Sequence, residues 1–199
     1  KDGYLITNPL LIELGLQTGD NITAINEYEI VKFSDLRKHL LEAQLVSFER
    51  DGVPMTATFP EDFLGQLSSS KNRSTFGLRT PFIVGGVQET SLNMDQDLQA
   101  GDVITSLGDT PFKYFDEFEA LASTYKGQTV NTTVLRDGKT LSKLLRVDAE
   151  GKLGVFRNNN NTTVQELGYY NIVENSYTFG ESIGVGLNRF TSQMSSYWG

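Results

Sequence analysis

The sequence has no cysteine and only one histidine among its 199 residues. Without cysteine, the chain can form neither disulfides nor thiolate metal sites. A His-Glu-x-x-His zinc motif needs two histidines, and His39 is the one histidine that a serine-type triad could use. We expect no catalytic residue and no metal ligand in this chain. We interpret His39 as a solvated helix residue, with a place in a ligand groove as the alternative.

Long apolar runs and positive charge are also scarce. No stretch of 18 apolar residues is present, so no segment is long enough to span a bilayer. Lys and Arg number 17 against 25 Asp and Glu, giving a net charge of -8. Such a surface repels phosphate backbones, which argues against a nucleic-acid partner. No initiator Met or leader precedes Lys1, and we expect the chain to be a piece of a longer protein.

Internal repetition is the most informative feature that is present. Three signals occur twice in the same order: a Leu-Gln-x-Gly-Asp-x-Ile-like segment, an aromatic helix start and an Arg-Asp-Gly turn. Two copies of one fold explain this order better than two unrelated domains do. The paired segments are Gly15–Ile25 with Asp97–Leu107, Lys32–Leu36 with Tyr114–Phe118, and Phe48–Gly52 with Val134–Gly138.

Each copy is predicted to contain a strand, one helix and then a hairpin. The helices are expected to begin near Ser34 and near Asp116, the latter with Glu119 in a capping box. Asp-Gly between alternating apolar runs is a strong hairpin signal, because that turn requires positive φ. This order predicts a mainly β fold with short helices (α+β): two small, partly open barrels in tandem, each with a helix across an exposed strand edge.

The domain boundaries follow from these signals. We predict a first domain at residues 1–66, a polar linker at 67–73, a second domain at 74–157, and a loop with an amphipathic helix at 158–199. The linker contains a Ser-Ser-Ser-Lys-Asn-Arg stretch, which is typical of a connection between domains.

The Gly-Leu-Gln-x-Gly-Asp-x-Ile segment, the Phe-containing helix start and the Arg-Asp-Gly element that follow one another in this chain resemble a protease-type PDZ domain. The tandem order, with Phe76-Gly77-Leu78-Arg79 before the second copy and Lys152-Leu153-Gly154-Val155 after it, resembles the RseP-like site-2 intramembrane zinc metalloproteases. Tyr177–Leu187 looks like the segment that leads to this family's next membrane span. The resemblance implies that zinc and the catalytic residues lie in membrane helices of the parent protein.

A PDZ groove binds an extended peptide as an added strand, and a glycine loop lets backbone amides approach a terminal carboxylate. In the second copy the expected loop is Thr75-Phe76-Gly77-Leu78, and the facing helix wall is Phe118, Leu121 and Ala122. About half of such apolar helix residues instead face a core. The first copy has no comparable loop ahead of its repeat, so we expect its groove to be incomplete.

The C-terminal segment has apolar residues at helical spacing. It is predicted either to dock on the second domain or to lie at the membrane surface, with its aromatic end at the headgroup level. The resemblance favours the membrane alternative. The membrane-interface residues are Phe179, Ile183, Leu187, Phe190, Met194, Tyr197 and Trp198.

The resemblance implies a periplasmic module on the inner membrane of a Gram-negative bacterium. Its partners would be membrane-anchored protein substrates, commonly anti-sigma factors, or the C-termini that a first protease leaves on them. The module would act either as a size filter above the active site or as a receptor for the new C-terminus. The alternatives are a tandem PDZ region of a periplasmic serine protease with chaperone activity, and a non-enzymatic PDZ scaffold.

Overall fold

The computed structural model describes residues 2–69 and 74–170. Lys1–Asn160 forms one compact unit, and helix α5 (Asn161–Glu166) belongs to a second unit. Within the described residues, no helix is long and apolar enough to cross a membrane. The prediction of a mainly β chain with few short helices is confirmed for these residues, and their strands close no barrel.

The first repeat is built on a four-stranded antiparallel sheet in the order β3-β2-β4-β5. The hairpin turn between β4 and β5 uses Asp51 and Gly52 at positive φ, as the sequence predicts. Helix α2 lays Leu36 on the sheet, and α3 adds Phe63 and Leu67 to the same core. The elements are β1 (Tyr4–Leu5), α1 (Pro9–Glu13), β2 (Asn21–Ile25), β3 (Tyr28–Glu29), α2 (Phe33–His39), a 3₁₀ turn (Leu40–Glu42), β4 (Leu45–Arg50), β5 (Val53–Thr58) and α3 (Phe63–Ser69).

The second repeat is built on a five-stranded sheet in the order β12-β11-β8-β7-β13, with a short β9–β10 hairpin beside it. Helix α4 buries Phe118 and Ala122 in its core, which is separate from the first. The elements are β7 (Phe82–Val87), β8 (Val103–Ile104), β9 (Ser106–Leu107), β10 (Thr110–Pro111), α4 (Phe115–Ala122), a 3₁₀ turn (Ser123–Tyr125), β11 (Thr129–Arg136), β12 (Lys139–Arg146) and β13 (Val155–Arg157). Strand β6 (Gly77–Leu78), which precedes them in the chain, pairs with β1 of the first repeat.

Each repeat contains an equivalent ion pair between a buried aspartate and an arginine. The Asp20 carboxylate accepts hydrogen bonds from Nε and Nη2 of Arg50 at 2.7 and 2.8 Å. The Asp102 carboxylate accepts the equivalent bonds from Arg136 at 2.6 and 2.8 Å. Side-chain exposure is 1% at Asp20 and 0% at Asp102, so each aspartate depends on its arginine for charge compensation. Each pair fastens the Gly-Asp turn to the strand that ends in Arg-Asp-Gly.

Two local details differ from the sequence prediction. Helix α4 begins at Phe115, and the side chain that reaches back to the Tyr114 amide, at 3.2 Å, belongs to Glu117 rather than Glu119. Residues 67–69 belong to helix α3 rather than to a linker, because α3 carries apolar residues that fill the first core. Residues 70–73, the rest of the predicted linker, lie outside the described part.

Candidate functional site

A cavity of about 310 Å³ lies between helix α4 and strand β13 in the second repeat. Strand β13 is the last strand of its sheet, so one of its backbone edges has no neighbouring strand among the described residues. A loop at 148–154 closes one end of the cavity. The lining residues are Phe82, Gln88, Phe115, Phe118, Glu119, Asp148, Glu150, Gly151, Lys152, Leu153, Gly154, Val155 and Arg157.

Asp148 shapes the loop from its N-terminal side. Its Oδ1 accepts hydrogen bonds from the amides of Glu150 and Lys152 at 3.0 and 2.7 Å. Its own amide donates to the Lys152 carbonyl at 2.9 Å. A short acidic side chain that binds nearby amides favours a turn over a continuing strand. This turn ends β12 and directs the chain back across the mouth of the cavity.

Two polar side chains anchor the loop at Leu153. The Leu153 carbonyl accepts hydrogen bonds from Ser91 Oγ and Asn93 Nδ2, each at 3.0 Å. Asn93 is fully buried, and it also bonds the backbone N–H and C=O of Arg146 at 2.7 and 2.9 Å. Because these bonds hold the carbonyl, the next peptide groups have a fixed orientation.

Gly154 is required at the tip of the loop. Its φ is +64°, and a Cβ there would come within 2.5 Å of Ser91 Oγ. Among the described residues, the amides of Leu153 and Gly154 donate no backbone hydrogen bond. Two adjacent amides without a backbone acceptor, the second of them at a glycine, form a concave site suited to a carboxylate.

The wall opposite the loop is aromatic. The ring of Phe82 lies 4.6 Å from that of Phe118 and 5.0 Å from that of Phe115, measured between centroids. Ala122 is buried in the same core, and Leu121 packs against it while half-buried. Of the predicted helix wall, Phe118 therefore lines the cavity, while Leu121 and Ala122 support it.

The start of α4 is held by a compact ionic cluster. Arg79 donates to Asp116 at 2.7 Å and to Glu117 at 2.6 Å through Nη2. Burial by itself would raise the pKa of Glu117. The amides of Lys113 and Tyr114, together with Arg79, outweigh that effect and lower the pKa below its usual value. These contacts fix the helix end that carries Phe115.

The predicted loop Thr75-Phe76-Gly77-Leu78 lies in the first repeat instead. Strand β6 pairs antiparallel with β1, where Tyr4 faces Leu78, and Phe76 is 6% exposed in the first core. Thr75 and Phe76 line a different cavity of about 280 Å³ beside the end of α2. The structure thus separates this loop from Phe118, Leu121 and Ala122, and it completes a first repeat that the sequence predicts to be incomplete.

The residues that sequence reasoning missed are those of the second loop, 148–154, with Val155 and Arg157. A signal for them exists, since Leu153-Gly154-Val155 has the same apolar-Gly-apolar pattern as Phe76-Gly77-Leu78.

The predicted membrane-interface residues, from Phe179 to Trp198, lie outside the described residues. Within residues 2–69 and 74–170, no group of three or more acidic or histidine side chains could hold a metal ion.

Comparison with known proteins gives a match to the PDZ domain family over residues 66–148. The matched range includes α4 and the β11–β12 hairpin and stops before the loop tip and β13. Among solved structures, the PDZ domain of the SdrC-like protein from Listeria monocytogenes is similar at 25% identity. That alignment covers 39% of this chain and 87% of the Listeria chain, with a TM-score of 0.34. The match to the family, which includes the helix that lines the cavity, identifies a PDZ domain within residues 66–148 of this chain.

Proposed function

We propose that the groove between α4 and β13 binds the C-terminal segment of a partner protein as an added strand. The peptide backbone pairs with the free edge of β13, and the terminal carboxylate meets the amides of Leu153 and Gly154. The last side chain enters the apolar pocket beside Phe118. PDZ domains generally recognise peptides in this way.

One juxtaposition carries this proposal. Within the described part of the chain, a strand edge without a neighbouring strand, a glycine loop whose amides donate no backbone hydrogen bond and an apolar cavity meet within a few residues of Val155. Lys152 adds positive charge beside the expected carboxylate position. Each feature alone is common, but strand-addition recognition needs all three at one place.

A titration with peptides tests this function. Short peptides that end in an apolar residue, with a free carboxylate or a C-terminal amide, are added to the 199-residue chain. We expect saturable binding of the free acid and at least a tenfold weaker affinity for the amide, since charge-assisted hydrogen bonds are lost. Equal affinities for acid and amide, or no binding of either, would contradict the proposal.

We further infer that both repeats are PDZ domains that work in tandem in regulated intramembrane proteolysis by a site-2 zinc metalloprotease. The repeated Asp–Arg ion pairs and the matching order of elements support the tandem arrangement. The sequence resemblance supports the protease, a periplasmic location, zinc in the parent, and membrane contact through the C-terminal segment. A periplasmic serine protease and a scaffold are the alternatives. The coding sequence on both sides decides among them, by a His-Glu-x-x-His motif before Lys1 and an apolar span after Gly199.

Within that context, the open second groove favours a receptor for trimmed C-termini over a pure size filter. A cleavage assay in the full-length parent separates the two. For a receptor, Gly154→Ala slows cleavage of short, trimmed substrates, because their C-termini are no longer held. For a filter, cleavage depends on the size of the extracytoplasmic part and is the same in Gly154→Ala and the native protein.

A further inference from the structure

Arg157 occupies an unusual position for a cation. It lies on β13 and lines the apolar groove, with its guanidinium carbon 3.5 Å from the ring centroid of Phe115. Its Nη2 donates to Thr80 Oγ1 and to Asn159 Oδ1, both at 3.0 Å. Both acceptors are neutral, so these bonds orient the guanidinium without balancing its charge.

The other nitrogens of Arg157 have no acceptor among the described residues. Nε is buried without a hydrogen-bond partner. Nη1 donates none either, and it is absent from the buried atoms, so solvent or a ligand can reach it. Most other arginines of the described chain contact a carboxylate in ion pairs; these are Arg50, Arg79, Arg136 and Arg146.

The electrostatics of the groove agree with this geometry. Burial lowers the pKa of Arg157, and the longer-range attraction of Glu119 offsets that effect in part. Glu119 is an exposed side chain of α4 that forms no ion pair with Arg157. A half-buried cation without a close counter-ion gains from a carboxylate that a ligand brings into the same space.

Strand addition predicts where that carboxylate must lie. In an antiparallel pair, directly opposed residues place their side chains on the same face, and the face alternates at each residue. A peptide whose last residue lies opposite Val155 has its third-from-last residue opposite Arg157. Phe156 lies between them and faces away, with 60% of its surface exposed.

We propose that Arg157 is a specificity-determining residue that selects ligands with Asp or Glu at the third position from the C-terminus. The ligand carboxylate accepts a hydrogen bond from Arg157 Nη1 and supplies the missing counter-ion above the Phe115 ring. This inference rests on the proposed C-terminal peptide binding, and it adds the chemical class of the ligand.

The test compares three peptides. Two differ only in the third-from-last side chain, and the third differs from the first only in its C-terminal group. Peptides ending in Asp-Ala-Val, Asn-Ala-Val and amidated Asp-Ala-Val are titrated against the native chain. We expect Asp-Ala-Val to bind about tenfold more tightly than Asn-Ala-Val, because a charge-assisted pair is lost with Asn. Arg157→Gln abolishes this difference. Arg37→Gln, which removes the same charge beside the other cavity, preserves it.

A second variant keeps the test decisive if Arg157→Gln fails to fold. Glu119→Gln removes the competing carboxylate, so the preference for Asp over Asn increases at least twofold. Equal binding of the Asp and Asn peptides overturns the role of Arg157 and leaves C-terminal binding intact. A preference that persists in folded Arg157→Gln, or that Glu119→Gln leaves unchanged, also overturns it. Equal binding of acid and amide rejects the groove itself, and this inference with it.

Discussion

The two repeats share a scaffold and differ in what faces the helix. Beside α4 lie an open cavity, a polar turn and strand β13, one edge of which has no neighbouring strand among residues 2–69 and 74–170. Beside the end of α2, Leu67 of helix α3 and Phe76 line a cavity of about 280 Å³ and also pack into the first core. The two repeats therefore differ in what bounds each cavity: a short helix contributes to the first, and the last strand with its polar turn bounds the second. Peptide recognition as proposed above would then depend on these closing segments rather than on the sheet.

The largest expected difference comes from the helix residues that face each core. Phe118 is 3% exposed and lines the open groove, while its counterpart Leu36 is 0% exposed and does not line the cavity beside the end of α2. We expect Phe118→Ala to lower the free energy of unfolding by about 3–5 kcal/mol and Leu36→Ala by about 2–5 kcal/mol. Urea denaturation measures both changes. Peptide affinity, measured under conditions where both variants are folded, falls only in Phe118→Ala. A similar fall in Leu36→Ala would break the comparison.

The next largest expected effect is a loss of stability when helix α3 is altered. Leu67 is 8% exposed, so Leu67→Ala should lower the free energy of unfolding by about 2 kcal/mol. Leu64, on the same helix but 44% exposed, is the matched control, with an expected change within about 0.5 kcal/mol. Chemical denaturation of the two variants gives the difference. Equal stability of both variants would mean that Leu67 of α3 does not pack in the first core.

The third prediction compares the effect of an alanine at Gly154 and at Gly77 on peptide affinity. A Cβ at Gly154 meets Ser91 Oγ at 2.5 Å, whereas a Cβ at Gly77 meets its nearest atom, Leu5 Cβ, at 3.4 Å. Gly154→Ala should weaken peptide binding at least tenfold, about 1.4 kcal/mol, because the free amides move. Gly77→Ala should leave the affinity unchanged. Isothermal titration measures both, and the reverse pattern would assign the ligand to the first loop.

The smallest expected effect is the dependence of stability on pH. Burial alone would raise the pKa of Asp102, but hydrogen bonds from Arg136 and the Gln99 amide lower it below its ordinary value. The ionised form therefore stabilises the fold above about pH 4, and this contribution is lost as the pH falls through the lowered pKa. Thermal melts from neutral to acid pH should show a shallower acid loss in Asp102→Asn than in the native chain.

The control for this measurement is Asp109→Asn at an exposed turn, which should keep the native pH profile. If Asp102→Asn shows the same acid loss as the native chain, the buried ion pair does not control acid stability.

Local sequence signals predicted much of the fold. The Asp-Gly turns at Asp51 and Asp137 and the helix starts, each within one residue, follow from short-range chemistry. The pairing of β1 with β6 did not follow, because strands far apart in sequence leave no local mark of their register. Phe76 and Leu153 occur in the same apolar-Gly-apolar pattern, so sequence alone could not assign each loop to its helix.

The most direct test of the account is a ¹H–¹⁵N titration of the chain with a free-acid C-terminal peptide. The account predicts that the amide signals of Leu153, Gly154 and Arg157 shift with a common affinity, while those of Phe76, Gly77 and Leu78 stay in place. Shifts centred on Phe76, Gly77 and Leu78 instead would place the ligand beside α2 and contradict the assignment of the groove.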